Sequence, residues 1–144
     1  MRHITQEGLD LIKRFEGFGS KVYICPAGYP TIGYGHLVRQ NESFAEISQD
    51  EAEDLLRKDV ESAERAVLRL VNVTLTDGQF DALVSFTFNL GSGAFQRSTL
   101  RRKVNRQAHA EVPGQLMRWV WAGGRRLNGL VKRRRSESSM YGIP

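Results

Sequence analysis

Two helix-start signals frame this chain. Ser48-Gln49-Asp50-Glu51 and Thr76-Asp77-Gly78-Gln79 both read as capping boxes, in which a hydroxyl and a Glu or Gln three residues later satisfy each other's backbone N–H groups. The first predicts a helix over 49–71, with Ala52, Leu55, Leu56, Ala63, Val67 and Leu70 at helical spacing. At 1.5 Å per residue it would exceed ~30 Å and could bridge two lobes. The second predicts a helix with Phe80, Leu83, Val84 and Thr87 on one face, broken at Gly91-Ser92-Gly93. Thr5 caps an earlier helix over 4–15, with Ile4 and Leu9 as a hydrophobic staple and Gly17 as its left-handed exit. A short basic helix after Ser98 and helices over 109–121 and 125–140 complete the helical part.

Strands are left only the stretch before Ser48. Lys21–Ile24 and Thr31–Tyr34 read as short strands around the turn formers Pro26-Ala27-Gly28-Tyr29-Pro30. Such a lobe is too small to stand alone. The expectation is α+β, one domain over 1–144. It has a β-rich lobe at about 17–47, a connecting helix at about 49–71, and a helical lobe at about 72–142 joined by the N-terminal helix.

Composition narrows the class. No apolar run approaches the ~18–20 residues that span a bilayer, and the N-terminus lacks the apolar core of a signal peptide. Cys25 is the only cysteine of 144 residues, so an internal disulfide is excluded. With three histidines and one cysteine, no spacing suggests a metal site, and no cofactor is expected. Charge is segregated: residues 1–96 hold nine Lys/Arg against fourteen Asp/Glu, whereas 97–135 hold twelve against one, Glu111. A basic C-terminal third favours a polyanionic partner such as a nucleic acid, an anionic membrane or a bacterial wall.

Glu16 ends the first helix, where the dipole is negative, and Phe15 and Phe18 flank it. Both surroundings disfavour a charged carboxylate, which suits a general acid. A glutamate in that position is, by itself, more often a solvated helix end. Its neighbourhood says more. Glu16-Gly17, Tyr23 and Thr31-Ile32-Gly33-Tyr34-Gly35-His36 resemble the active-site segment of phage lysozymes of glycoside hydrolase family 24. There, a glutamate is followed nine residues on by aspartate or cysteine and six further on by threonine, which fits Glu16, Cys25 and Thr31. The resemblance continues through Asp50-Glu51-Ala52-Glu53, Asp59-Val60, Phe88-Asn89-Leu90-Gly91, Arg118-Trp119 and Gly129-Leu130-Val131 with Arg133 and Arg134.

The resemblance implies a lysozyme-like fold and hydrolysis of the β-1,4 bond between N-acetylmuramic acid and N-acetylglucosamine in peptidoglycan. Glu16 would protonate the leaving oxygen. In aspartate-bearing members, the second residue and the threonine hold a water on the opposite sugar face. Cys25 departs from that version, since a thiol with a reference pKa of about 8.5 is a poor base. It could be a thiolate that activates water, a nucleophile, or a passive filler. Thr31 would hydrogen-bond the water; its ordinary reading is a β-branched strand residue. The family pairs His36 with an acid on the long helix, here Asp59, a structural tie rather than a catalytic base. The match also implies that Leu37, Phe88, Ser98 and Asn128 line the sugar sites, with Thr99 aligning almost as well as Ser98. Trp119 reads as core, and Trp121 stays undecided.

The expected partner is peptidoglycan, for a monomer with no nucleic-acid role. Lys132-Arg133-Arg134-Arg135 and Arg101-Arg102-Lys103 are either solvated helix faces or attractors for the anionic wall. Outer-membrane lipid is a further candidate partner for the basic C-terminal helices, although the segment 127–141 is only weakly amphipathic. The leading function is a phage endolysin acting from the host cytoplasm after a separate pore-forming protein opens the inner membrane. Two alternatives stand beside it: a lytic transglycosylase on the same bond, and a non-catalytic cationic wall- or membrane-binding protein.

Overall fold

The computed structural model describes residues 1–142; the last two positions of the expected domain, 143–144, lie outside the described residues. The fold is α+β, a small sheet and short hairpin among eight helices in the described residues. The chain forms two compact units, one over 12–61 and the other from 1–11 together with the chain from Ser62 onward.

The 12–61 unit contains the end of helix α1 (Gln6–Glu16), strands β1 (Gly19–Ile24), β2 (Pro30–Gly33) and β3 (His36–Leu37), and helix α2 (Gln49–Asp59). Gly17 leaves the helix at φ +74°, its N–H donating to the Lys13 carbonyl (2.9 Å), as a left-handed exit requires. The sheet is antiparallel in the order β1-β2-β3, with Thr31 opposite both Tyr23 and Leu37. β3 is a strand the sequence did not suggest. Gly33, at φ +67°, lets β2 approach α2: a Cβ there would stand 3.1 Å from Ala52 Cβ. Ile12, Ile32, Ala52 and Leu56 are buried.

The expected single helix over 49–71 is two helices, α2 and α3 (Glu61–Leu70). Val60 alone departs from regular helix, and its N–H still reaches the Leu56 carbonyl at 2.9 Å. The Ser48 capping box is present in full at α2.

In the other unit, the Thr76 capping box opens α4 (Asp77–Leu90), which is buried on every side from Phe80 to Thr87 rather than along one stripe. Phe86 anchors it, with the rings of Phe95 at 6.2 Å and Trp119 at 5.4 Å edge-on. Short helices α5 (Ser92–Arg97), α6 (Thr99–Asn105) and α7 (Val112–Leu116) follow, with a 3-10 turn at His109–Glu111. The expected helix over 109–121 therefore ends at Leu116. The helix expected over 125–140 is α8 (Asn128–Tyr141), packed on α4. Between them, β4 (Trp121–Ala122) and β5 (Arg125–Arg126) form a hairpin about Gly123 and Gly124. Both glycines have positive φ, +58° and +75°, which a two-residue hairpin turn demands.

α8 corrects the reading of the basic run. Arg133 and Arg134 are buried at 4% and 0% exposure, whereas Lys132 and Arg135 face water. Helical periodicity puts 131, 134, 137 and 141 on the inner face, and Glu137 is buried there to meet the arginines. The second cluster is also partly committed: Arg101 donates to the Leu70 carbonyl (2.8 Å) and Lys103 pairs with Glu111 (3.1 Å).

Candidate active site

Glu16 is the last residue of α1 and is half-buried. The end of α1 is held within its unit by Lys13, which pairs with Glu53 of α2 and lies 5.5 Å over the Tyr34 ring. Phe18 meets the same ring at 5.5 Å, tilted by 49°. Gly35 explains the Gly-Tyr-Gly-His run: at φ +81°, a Cβ there would lie 2.8 Å from Glu16 Oε1. The carboxylate thus occupies space that any other side chain would claim.

Cys25 sits at the tip of the β1–β2 hairpin. Its N–H donates to the Tyr29 carbonyl (2.9 Å), and Gly28 N–H donates to the Cys25 carbonyl (2.8 Å). This closes a three-residue loop, Pro26–Gly28, with Gly28 at φ +89° in the left-handed place such loops reserve. The loop turns backbone donors toward the sulfur. The Tyr29 amide first, then the Thr31 hydroxyl, and more weakly the Ala27 and Gly28 amides, hold the thiol below its ordinary pKa.

Thr31 is buried in the central strand, and its hydroxyl also reaches the Tyr29 carbonyl at 2.9 Å. Leu37 projects from β3 opposite Thr31 and is 55% exposed. The structure therefore brings Glu16, Cys25, Thr31 and Leu37 into one unit. Tyr23, across from Thr31, lays its ring over Gly19, where a Cβ would fall 2.7 Å from Cε1.

His36 binds two acids. Nδ1 is 2.8 Å from Asp59 Oδ2, and Nε2 is 3.0 Å from Glu42 Oε1. Burial opposes charge on the ring, but the two carboxylates outweigh it and raise the His36 pKa. Glu42 is held below the usual carboxylate range, first by the Arg39 backbone N–H (2.8 Å) and then by His36. Sequence reasoning missed Glu42, which follows the histidine by six residues in a loop without periodicity.

The remaining sequence candidates lie in the other unit. Phe88 is half-buried in the last turn of α4, and Asn128 is exposed at the start of α8. Ser98 is buried and already engaged as the cap of α6: its hydroxyl donates to the Phe95 carbonyl (2.7 Å) and accepts from Arg101 N–H (3.0 Å). Thr99 borders a cavity of about 270 Å³ lined also by Arg97, Ser98, Gln115, Arg118 and Trp119. Trp119 is half-buried against Phe86, and Trp121 is 61% exposed. Among the described residues, no group of three or more His, Cys, Asp or Glu could hold a metal.

A helix-end glutamate set against the Gly35 turn of a small antiparallel sheet is the arrangement expected of the lysozyme-like class. The muramidase domain of SpmX from Asticaccaulis excentricus superposes with a TM-score of 0.89, at 38% identity over 99% of this chain and 100% of that one. The family model for phage lysozyme matches residues 13–137, and the chain belongs to that family. An endolysin of Acyrthosiphon pisum secondary endosymbiont phage 1 is 40% identical over 143 residues, 96% of this chain and 97% of its own. An endolysin of Bacillus phage B103 is 41% identical over 141 residues. The chain spans about half the length of that relative (54%).

Proposed function

We propose that this chain is a phage endolysin, a muramidase that hydrolyses the β-1,4 bond between N-acetylmuramic acid and N-acetylglucosamine. The observation that carries the reading is the Glu16 carboxyl lodged against Gly35, in the same unit as a thiol whose surroundings favour its ionised form. Glu16 donates its proton to the glycosidic oxygen as the bond to the anomeric carbon breaks, and the oxocarbenium-like charge is met by the Cys25 thiolate. Water adds to the anomeric carbon and releases one proton to the protein. Thr31 carries one hydroxyl proton and has two acceptors in reach, the Tyr29 carbonyl and the Cys25 sulfur. Ionisation of the thiol turns that proton toward sulfur.

Leu37, Phe88, Ser98 or Thr99, and Asn128 are the proposed sugar contacts, with His36 and Asp59 as the structural pair. The wall is the partner, and exposed Arg102, Arg106, Arg125 and Arg126 supply the attraction. No described helix is long and apolar enough to cross a membrane; the proposed route to the wall is a separate pore-forming protein in the inner membrane of the host.

The test is wall clearing with mass spectrometry of the products. Wild type leaves reducing ends; anhydro ends would make it a transglycosylase. Glu16→Gln abolishes clearing, and a binder without catalysis would keep its effect. Cys25→Ser loses ~100-fold or more, the scale of an acid–base group. Undiminished clearing by Cys25→Ser would remove the thiol from the chemistry. The anomer first released, read by NMR, separates water activation by the thiolate from direct attack by sulfur.

A further inference from the structure

Strand β1 carries a phenol that the chemistry above does not use. Tyr23 pairs directly with Thr31, and Thr31 pairs with Leu37, so the three side chains cross the sheet in one row on one face. The Thr31 hydroxyl reaches the sulfur of Cys25, two residues beyond Tyr23, which puts the thiol on that face as well. Thr31 is buried, whereas Tyr23 and Leu37 are 40% and 55% exposed on the strands either side of it.

The Tyr23 ring lies back along β1 over Gly19, where a Cβ would fall 2.7 Å from Cε1 and 3.0 Å from Cδ1. An irregularity in the strand accompanies this. Between the pairs Gly19–Gly33 and Tyr23–Thr31, β1 advances four residues while β2 advances two. A bulge of this kind re-aims a side chain, and a strand glycine marks close approach. The ring thus extends from the row of Thr31 toward the row of Gly19 and Gly33, two residues short of Gly35, which faces the Glu16 carboxyl. A phenol hydroxyl both donates and accepts. That of Tyr23 meets no partner among the described residues. Covering an edge glycine with a ring stabilises a strand by itself, and that task needs no hydroxyl.

We propose that Tyr23 is a sugar-binding residue of the muramidase site, its ring seated on Gly19 so that the hydroxyl hydrogen-bonds the N-acetylated aminosugar lying over Thr31 and Cys25. This rests on the muramidase reading. Every residue it invokes belongs to the 12–61 unit.

Tyr23→Phe separates binding from packing, because it keeps the ring on Gly19 and removes only the hydroxyl. Its melting temperature matches that of wild type. Kd for an N-acetylglucosamine oligomer and KM on solubilised peptidoglycan rise about tenfold, the worth of one hydrogen bond of about 1.4 kcal/mol, with kcat unchanged. Gly19→Ala is the second arm. Gly19 is outside the left-handed region, so alanine suits the backbone while its methyl displaces the ring. It raises Kd by a similar factor in the wild-type background and leaves Kd unchanged in the Tyr23→Phe background, where no hydroxyl remains to misplace. Wild-type Kd and KM in Tyr23→Phe would overturn the proposal and leave the ring as the cover of an edge glycine. Equal effects of Gly19→Ala in both backgrounds would do the same. Oligomer binding is read without turnover, and reducing-end release by the wild-type protein is measured separately, so failure of the muramidase reading is distinguishable.

Discussion

Two charge clusters, one in each unit, are built in opposite proportions. In the 12–61 unit, one imidazole lies between two carboxylates, Asp59 and Glu42, whose side chains are 20% and 23% exposed. In the other, two guanidiniums share one carboxylate, Glu137, and all three are buried. The first clamp contains a group that titrates near neutrality, so its strength follows pH. The second contains arginines, which stay charged, so its strength is set by whether each charge has a partner. The first cluster is adjustable near neutral pH through its imidazole, and the second is sensitive to the loss of its one carboxylate.

The largest effect belongs to the second cluster. Glu137→Ala leaves the fully buried Arg134 without its carboxylate, at a cost of about 3–5 kcal/mol. Replacing the buried pair by apolar residues, Arg134→Met with Glu137→Leu, costs less than the single change. Denaturant unfolding measures both. A loss below about 1 kcal/mol for Glu137→Ala would end the contrast between the units.

The clamp on His36 gives the intermediate effect and a definite pH signature. The His36 pKa is raised in the folded protein, so its contribution is complete below the unfolded value of about 6.5 and is lost as pH rises through the folded value. The Glu42 pKa is lowered, so its contribution is complete above about 4.3 and is lost as pH falls through the folded value. Full strength lies between about pH 4.3 and 6.5. Asp59→Asn costs about 1.5–3 kcal/mol in that window, as for a hydrogen bond to a charged group, and less at pH 8.5. An equal loss at both pH values, or a His36 that titrates at its ordinary pKa by NMR, would show that the ring is held by packing alone.

Much of the first unit was legible because its signals are local. A capping box, a glycine exit and a Pro-Ala-Gly turn each act within a few residues, and Ser48, Gly17 and Gly28 perform those roles. The spacing of Glu16, Cys25 and Thr31 was readable only through family resemblance. Glu42 was missed because it meets His36 through a loop. In the second unit, the Gly123-Gly124 turn was overlooked because strands of two residues show no alternation. The inward turn of Arg133 and Arg134 escaped notice because a run of four cations reads as solvent-facing. Only Glu137, one turn on, indicates otherwise. The hydrogen bond that Arg134 donates to Asn89 spans 45 residues and leaves no trace in either segment alone.

The smallest effect sharpens the point within that one run. Lys132 and Arg135 flank the buried pair on the exposed side of α8. Lys132→Gln with Arg135→Gln removes as much charge as removing both buried arginines, yet stability changes by less than about 0.5 kcal/mol, the usual range for surface positions. On the endolysin reading the pair contributes reach toward an anionic wall, and exposed charges act within a Debye length of about 8 Å at physiological salt. The double variant therefore binds walls less tightly at low ionic strength and like wild type at 0.5 M salt, as sedimentation with purified walls would show. Loss of stability without loss of salt-dependent binding would place Lys132 and Arg135 with the core charges instead.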